Sequence, residues 1–197
     1  FKGYFNSNID VTGTFYKPIF EGYINAVDSS FDVPYLGLRY GFVDDPTFTL
    51  NNQTINIKDF TLNEKKSNTS GVMNGKISHN RLKDWFLDFK IESKNLIALN
   101  TQSSENEYYY GTGFLNGSAY FIGPGKDLDI EINGATQENT KIIIPIRYGD
   151  GLDQLSYLTF KENNNDSTTN LLNQGLEVFL NININKNAEI EIIFDEK

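Results

Sequence analysis

The chain has 197 residues, enough for one or two domains with a real core. Hydrophobic residues make up 39% and aromatic residues 14%, which excludes a mainly disordered chain, and the lack of cysteine excludes disulfides and thiolate metal sites. A net charge of −9 repels nucleic-acid phosphates and anionic headgroups, so neither is expected as an electrostatic partner.

Strand signals begin at once. Ile9–Ile24 (IDVTGTFYKPIFEGYI) gives two alternating runs, with the break expected at Pro18. Thr54–Leu62 (TINIKDFTL) sets Ile55 and Ile57 against polar partners. In Arg81–Glu92, Trp85, Leu87, Phe89 and Ile91 fall on one parity, and Asp84, Asp88, Lys90 and Glu92 on the other. Tyr108–Gly125 (YYYGTGFLNGSAYFIGPG) has no charge, is rich in aromatics and carries five glycines. Two-residue alternation with glycines that mark bends predicts a bent hairpin, closed by a turn at Gly123-Pro124-Gly125. Lys126–Gly134 sets Leu128, Ile130 and Ile132 against Asp127, Asp129 and Glu131. Residues 161–174 are expected to be a flexible loop or a short helix, with Asp166–Gln174 the helical candidate after an Asn-rich stretch. Last, Leu176, Val178, Leu180, Ile182 and Ile184 alternate up to Lys186-Asn187, and Ala188, Ile190, Ile192 and Phe194 follow.

Strands with one apolar and one wet face predict an all-β fold built on a mostly antiparallel sheet. A turn as short as Lys186-Asn187 predicts that the strands on either side of it pair with each other. No apolar run approaches the roughly 18 residues of a membrane-spanning helix. A loose repeat runs through the chain: Asn74-Gly75 and Lys83-Asp84 recur as Asn116-Gly117 and Lys126-Asp127, about 42 positions on, with Phe20–Ile24 as a degraded earlier copy. Two to three such units, each burying its face on the next, form a single segment over residues 1–197. The chain starts at Phe1 already in a strand pattern, and is read as a segment of a longer protein.

Candidate chemistry is sparse. The single histidine, His79, has Ser78 and Asp84 nearby, but sequence neighbours rarely build a triad, and a structural or surface role is expected. Asp127, Asp129 and Glu131 read as the solvated face of a strand. Alternation spreads them out, whereas a calcium loop converges its ligands. Asp150 and Asp153 in YGDGLDQ supply too few oxygens for calcium and read as a turn. Lys126 after Gly125 lacks the spacing and hydroxyl of a phosphate loop. No catalytic residue, metal or cofactor is expected.

What remains is geometric: many strands with a continuous apolar face and almost no helix to cover them. Such a sheet closes into a sandwich or barrel, or it curls into a trough that needs an apolar ligand. The residues expected on one inner face are Trp85, Leu87, Phe89, Ile91, Leu128, Ile130, Ile132, Val178, Leu180, Ile182, Ile184, Ile190, Ile192 and Phe194.

Taken in order, GTFYKPIFEGYI, DVPYLGLRYGF, GVMNGKISHNRLKDWFLDFKI, NLIALNT, the long run from Tyr108 to Ile146 and NAEIEIIFD resemble the carboxy-terminal part of TamB-like translocation and assembly module proteins. The likeness covers nearly the whole chain and is weakest over residues 149–175. It implies a β-taco, a half-pipe sheet with an apolar groove. The implied setting is the periplasm of a Gram-negative bacterium, in a parent anchored in the inner membrane by a segment not contained here. The implied partners are phospholipid acyl chains and an outer membrane barrel of the assembly family, met through other parts of the parent. The implied roles are phospholipid passage between membranes and support of outer membrane protein assembly. Two other readings stay open: a carbohydrate-binding or adhesin domain with Trp85 and Tyr108–Tyr110 as a stacking platform, and a β-helix enzyme acting on acidic polysaccharide, which the charge of −9 disfavours.

Overall fold

A computed structural model describes residues 1–64, 66–106, 108–124, 127–147 and 177–195. The expected helix at Asp166–Gln174, the loop 161–174 and the Asp150/Asp153 turn lie outside the described residues. Among the described residues, twelve strands form one sheet: β1 (Lys2–Thr14), β2 (Lys17–Val33), β3 (Leu38–Phe42), β4 (Thr47–Asn51), β5 (Thr54–Glu64), β6 (Thr69–Asn80), β7 (Lys83–Thr101), β8 (Tyr110–Pro124), β9 (Asp129–Thr136), β10 (Lys141–Arg147), β11 (Glu177–Asn183) and β12 (Glu189–Asp195). One 3-10 turn, Pro34–Leu36, is the only helical element among the described residues. The fold is all-β and mostly antiparallel, as the alternation predicts.

The sheet forks twice. The first half of β2 pairs with β4 over Glu21–Asn25, and its end pairs with β3 over Ser30–Val33. The switch falls at Asp28, whose φ is 47° and whose N–H is held by the Asp45 carboxylate at 2.9 Å. Strand β8 does the same, pairing with β9 over Leu115–Ile122 and with β10 over Tyr110–Thr112.

Three local expectations are corrected. The first break falls at Phe15–Tyr16; Pro18 sits inside β2 opposite Gly13. Tyr110–Pro124 is one straight-through strand, not a hairpin folded on itself, and the turn comes after it, where the Asp127 N–H bonds the Pro124 carbonyl at 2.9 Å. The glycines of β8 serve close approach between strands. Gly117, at φ 156°, faces Gly134, and a Cβ on it would overlap the Asn133 carbonyl. Finally, β11 and β12 do not pair with each other. β11 runs parallel to β9 and β12 parallel to β10, so Lys186-Asn187 lies in an interruption of one long strand. That interruption stacks beside the one between β9 and β10. The Thr136 hydroxyl accepts the Asn185 N–H at 2.8 Å, and the Thr140 carbonyl accepts the Glu189 N–H at 2.9 Å. These outside partners satisfy the backbone groups that a hairpin would have paired internally.

The core lies on one face of β2–β7. Ile57, Phe60, Leu62 and Met73 form one cluster, and Leu38, Tyr40, Leu96 and Ile97 another. Strand β5 reaches that face with both Ile57 and Phe60 because a bulge at Lys58–Asp59 shifts its parity. The Asp59 N–H is bound by the Asn74 side-chain oxygen at 2.7 Å. The second cluster forms because the sheet curls. β5 and β6 separate β3 from β7 in strand order, yet the Tyr40 hydroxyl donates to the Ile97 carbonyl at 2.6 Å. Burial in this cluster pushes the Tyr40 phenol upward in pKa, with the Glu64 charge adding to it.

Candidate functional site

Side chains at paired register positions share a face. Starting from Met73, Gly75 and Ile77 in β6, the register passes to Ile91, Phe89 and Leu87 in β7, then to Ala119, Phe121 and Gly123 in β8. From Ala119 and Phe121 it passes to Ile132 and Ile130 in β9. The Phe89 and Phe121 rings stack at 4.8 Å, so this register is also seen in side-chain contact. Val178 and Leu180 take the register positions opposite Ile130 and Ile132, and Ile182 the one opposite Gly134. Leu87, Phe89, Ile91, Leu128, Ile130, Ile132 and Ile182 are all half-buried, with Leu128 just ahead of β9.

The second branch carries the rest. Ile190, Ile192 and Phe194 lie opposite Ile142, Ile144 and Ile146. Ile142 in turn lies opposite Gly111, which shares its parity on β8 with Gly117 and Phe121. Phe194 is 68% exposed and Ile192 is 42% exposed. Ile184 was expected on the same face. It falls beyond the end of β11 and is exposed, because the alternation that carried it is interrupted at this point.

Among the described residues, every buried hydrophobic side chain lies between Ala26 and Leu99. From β8 onward the apolar pattern continues, but no hydrophobic side chain described there is buried. Ala119, Phe121, Ile142 and Ile144 belong to this face and were not in the expected set. Phe121 is visible as an alternating position, but only cross-strand pairing assigns it to the face. Lys141–Arg147 (KIIIPIR) conceals its face because three consecutive isoleucines and a proline erase the alternation.

The opposite face is wet. Lys76 pairs with Asp88, and Lys90 pairs with Glu92 and lies 5.0 Å over the Tyr120 ring. Asp129 and Glu131 are exposed there, opposite Ile122 and Tyr120.

The geometry of His79 does not suit catalysis. Its Nδ1 accepts the Leu82 N–H at 3.0 Å and so caps the turn between β6 and β7. Its ring packs 4.8 Å from Trp85 and 5.8 Å from Phe20. Burial holds its pKa below the ordinary histidine value. Ser78 precedes it on the same strand and points to the other face, while the Asp84 carboxylate faces the Asn80 amide at 3.4 Å. No cluster of three His, Cys, Asp or Glu side chains suited to a metal occurs among the described residues. The expected aromatic platform is also divided. Phe86, next to Trp85, pairs with Pro124 at one end of β8, while Tyr110 sits at the other end, roughly 45 Å away along a strand of this length.

The family model described as the TamB C-terminal domain matches residues 58–197. The chain belongs to the TamB family. No curated protein and no solved structure matches it. The TamB match begins inside β5, so it takes in the bulge that brings Phe60 to the face of Ile57, and all of the half-exposed face described beyond β7. TamB proteins are components of the Gram-negative envelope, and membership gives this chain an envelope role in that general sense.

Proposed function

We propose that this TamB segment carries phospholipid acyl chains on the apolar face running from β6 and β7 through β8 to β9 and β11. It would form one stretch of a periplasmic conduit between the inner and outer membranes. The observation that carries this reading is the end of burial at Leu99 while the apolar alternation goes on. A sheet must cover such a face, and no second layer of the described chain does so. An acyl chain gains roughly 0.8 kcal/mol per CH₂ taken out of water, so a lipid tail is a fitting cover for a row of Phe, Leu and Ile side chains. The wet opposite face, with its ion pairs, suits contact with the aqueous periplasm. The parent protein supplies the inner-membrane anchor and meets the outer membrane barrel of the assembly family, and support of outer membrane protein assembly follows from the same family reading. The role is that of a binding surface and not of an enzyme, in keeping with a histidine whose Nδ1 is already engaged.

Trp85 provides the test, because it is the chain's only tryptophan and shares its parity with Leu87 and Phe89. Phospholipids with brominated acyl chains should quench its fluorescence, and lipids brominated at the headgroup should not. Photo-crosslinkers at Ile130 and Ile182 should capture lipid tails, and one at Asp129 on the wet face should not. Equal capture at Asp129 and Ile130 would defeat the proposal.

A further inference from the structure

The half-exposed apolar face also runs past the packed clusters, near one end of the strands. The register passes from Leu87 to Ile77, Ile55, Leu50, Gly22 and Ile9, all of them half-buried. Beside this row lie the turns that follow β1, β4 and β6, and Gln53 ties the three together. Its side-chain amide donates to the Pro18 carbonyl at 2.8 Å, its side-chain oxygen accepts the Arg81 N–H at 2.8 Å, and its carbonyl accepts the His79 N–H at 2.9 Å. Between the tied turns lies an open recess of about 580 Å³, lined by Tyr16, Lys17, Asn52, Gln53, Asn80 and Arg81. On a chain of net charge −9 this end is locally basic: over residues 15–18, 52–53 and 80–85, Lys17, Arg81 and Lys83 stand against Asp84 alone. The ion pairs of the described residues use Arg39, Lys76, Lys90 and Lys141, so none of them engages these three cations. Phe15 is 94% exposed and Tyr16 76%, and Leu82 is exposed beside Arg81. Bare aromatic side chains next to unpaired cations suit the boundary between lipid tails and headgroups.

We infer that these three turns form a headgroup site: Lys17, Arg81 and Lys83 hold the phosphate of an anionic phospholipid whose tails lie on the neighbouring apolar row. The inference rests on the reading that lipid tails occupy the apolar face, and it adds which end of the strands the headgroups take and which headgroups are preferred. Lys17 and Lys83 open their strands, opposite Thr14 and Asn80, where the apolar and the wet face meet. A headgroup there stays in water while its tails reach inward. Leu87 follows Lys83 by four positions, roughly 13 Å of extended strand, a span that an acyl chain covers. Arginine offers a fork of donors to a phosphate and lysine a mobile point charge. The clasp by Gln53 sets the turns in place before a lipid arrives, so little ordering is left for binding to offset.

Lipids with identical tails and different headgroups provide the test. The chain is incubated with dioleoyl phosphatidylcholine vesicles that hold equal amounts of dioleoyl phosphatidylglycerol and dioleoylglycerol. It is then separated from the vesicles, and the lipids it retains are counted by mass spectrometry. Phosphatidylglycerol should exceed dioleoylglycerol at least about fivefold, the effect of roughly one cation on an anionic headgroup. The triple variant Lys17→Gln, Arg81→Gln, Lys83→Gln should bring that ratio close to even while still retaining lipid. Lys58→Gln, Lys76→Gln, Lys94→Gln removes the same charge from exposed positions away from these turns and should keep the preference. Retained lipid with no preference in the wild type, or an equal loss of preference in both triple variants, would overturn the headgroup site and leave the tail reading standing. No retained lipid in the wild type would overturn both.

Discussion

Leu62 in β5 is completely buried, whereas Ile130 in β9, reached through the same register on the same face of one sheet, is partly exposed. Both belong to alternating strands, and both have aromatic neighbours. The difference is what lies above them. Over β5 and β6 the sheet curls until β3 meets β7, and Phe42, Phe48 and Phe60 interlock at 4.7 to 6.1 Å between centroids. Over β8, β9 and β11 no described strand returns. Alternation therefore tells which side of a strand is apolar, and the curl of the sheet tells whether that side is dry.

The comparison breaks most easily through paired truncations. Leu62→Ala should cost about 3 kcal/mol, the usual penalty for a cavity in a packed core, whereas Ile130→Ala should cost about 1 kcal/mol or less, since the face can stay wet or refill. Chemical denaturation of both variants measures this. A loss at Ile130 as large as at Leu62 would mean the second region is a closed core.

A smaller effect comes from the backbone of the open region. Gly117→Val should destabilise by about 2 kcal/mol, through positive-φ strain and overlap with the Asn133 carbonyl. The midpoint of thermal unfolding reads it. A neutral outcome would show that β8 and β9 lie farther apart than described.

A pH response should mark the turn between β6 and β7, which His79 caps. Burial lowers the pKa of His79, so the folded state holds it neutral. Its contribution to stability is complete above the unfolded histidine pKa of about 6.5 and is lost as pH falls through the folded value. The difference in Tm between pH 7.5 and pH 5.5 should be larger for the wild type than for His79→Asn, in which a side-chain oxygen can still accept the Leu82 N–H. Equal differences would mean that His79 charges freely in the fold.

The smallest effect belongs to the wet face. Lys90→Ala removes an exposed ion pair with Glu92, and the melting temperature should not shift resolvably, because solvent screens such pairs. A clear loss would assign the Lys90–Tyr120 contact a structural role that exposed pairs seldom have.

Much of this fold was legible in the residues. The amphipathic runs at Trp85–Ile91, Leu128–Ile132 and Ile190–Phe194 fixed the strand class and the apolar side, because a pleated strand presents alternate side chains to opposite faces whatever surrounds it. That Ser78 and His79 point to opposite faces was equally readable, since they are neighbours on one strand. The Lys186-Asn187 interruption misled, because a two-residue turn signal looks the same whether the chain reverses or only breaks step. The outcome depended on Thr136 and Thr140, almost fifty residues away, which supply the bonding partners for that break. The bulge at Lys58–Asp59, the forks at Asp28 and in β8, and the bridge from Tyr40 to Ile97 were decided by the tertiary structure alone. Each depends on which strand lies alongside and how far the sheet bends, and those are properties of long-range pairing. Local alternation carries the identity of the apolar face; only the assembled sheet settles which part of that face is packed and which is left half exposed.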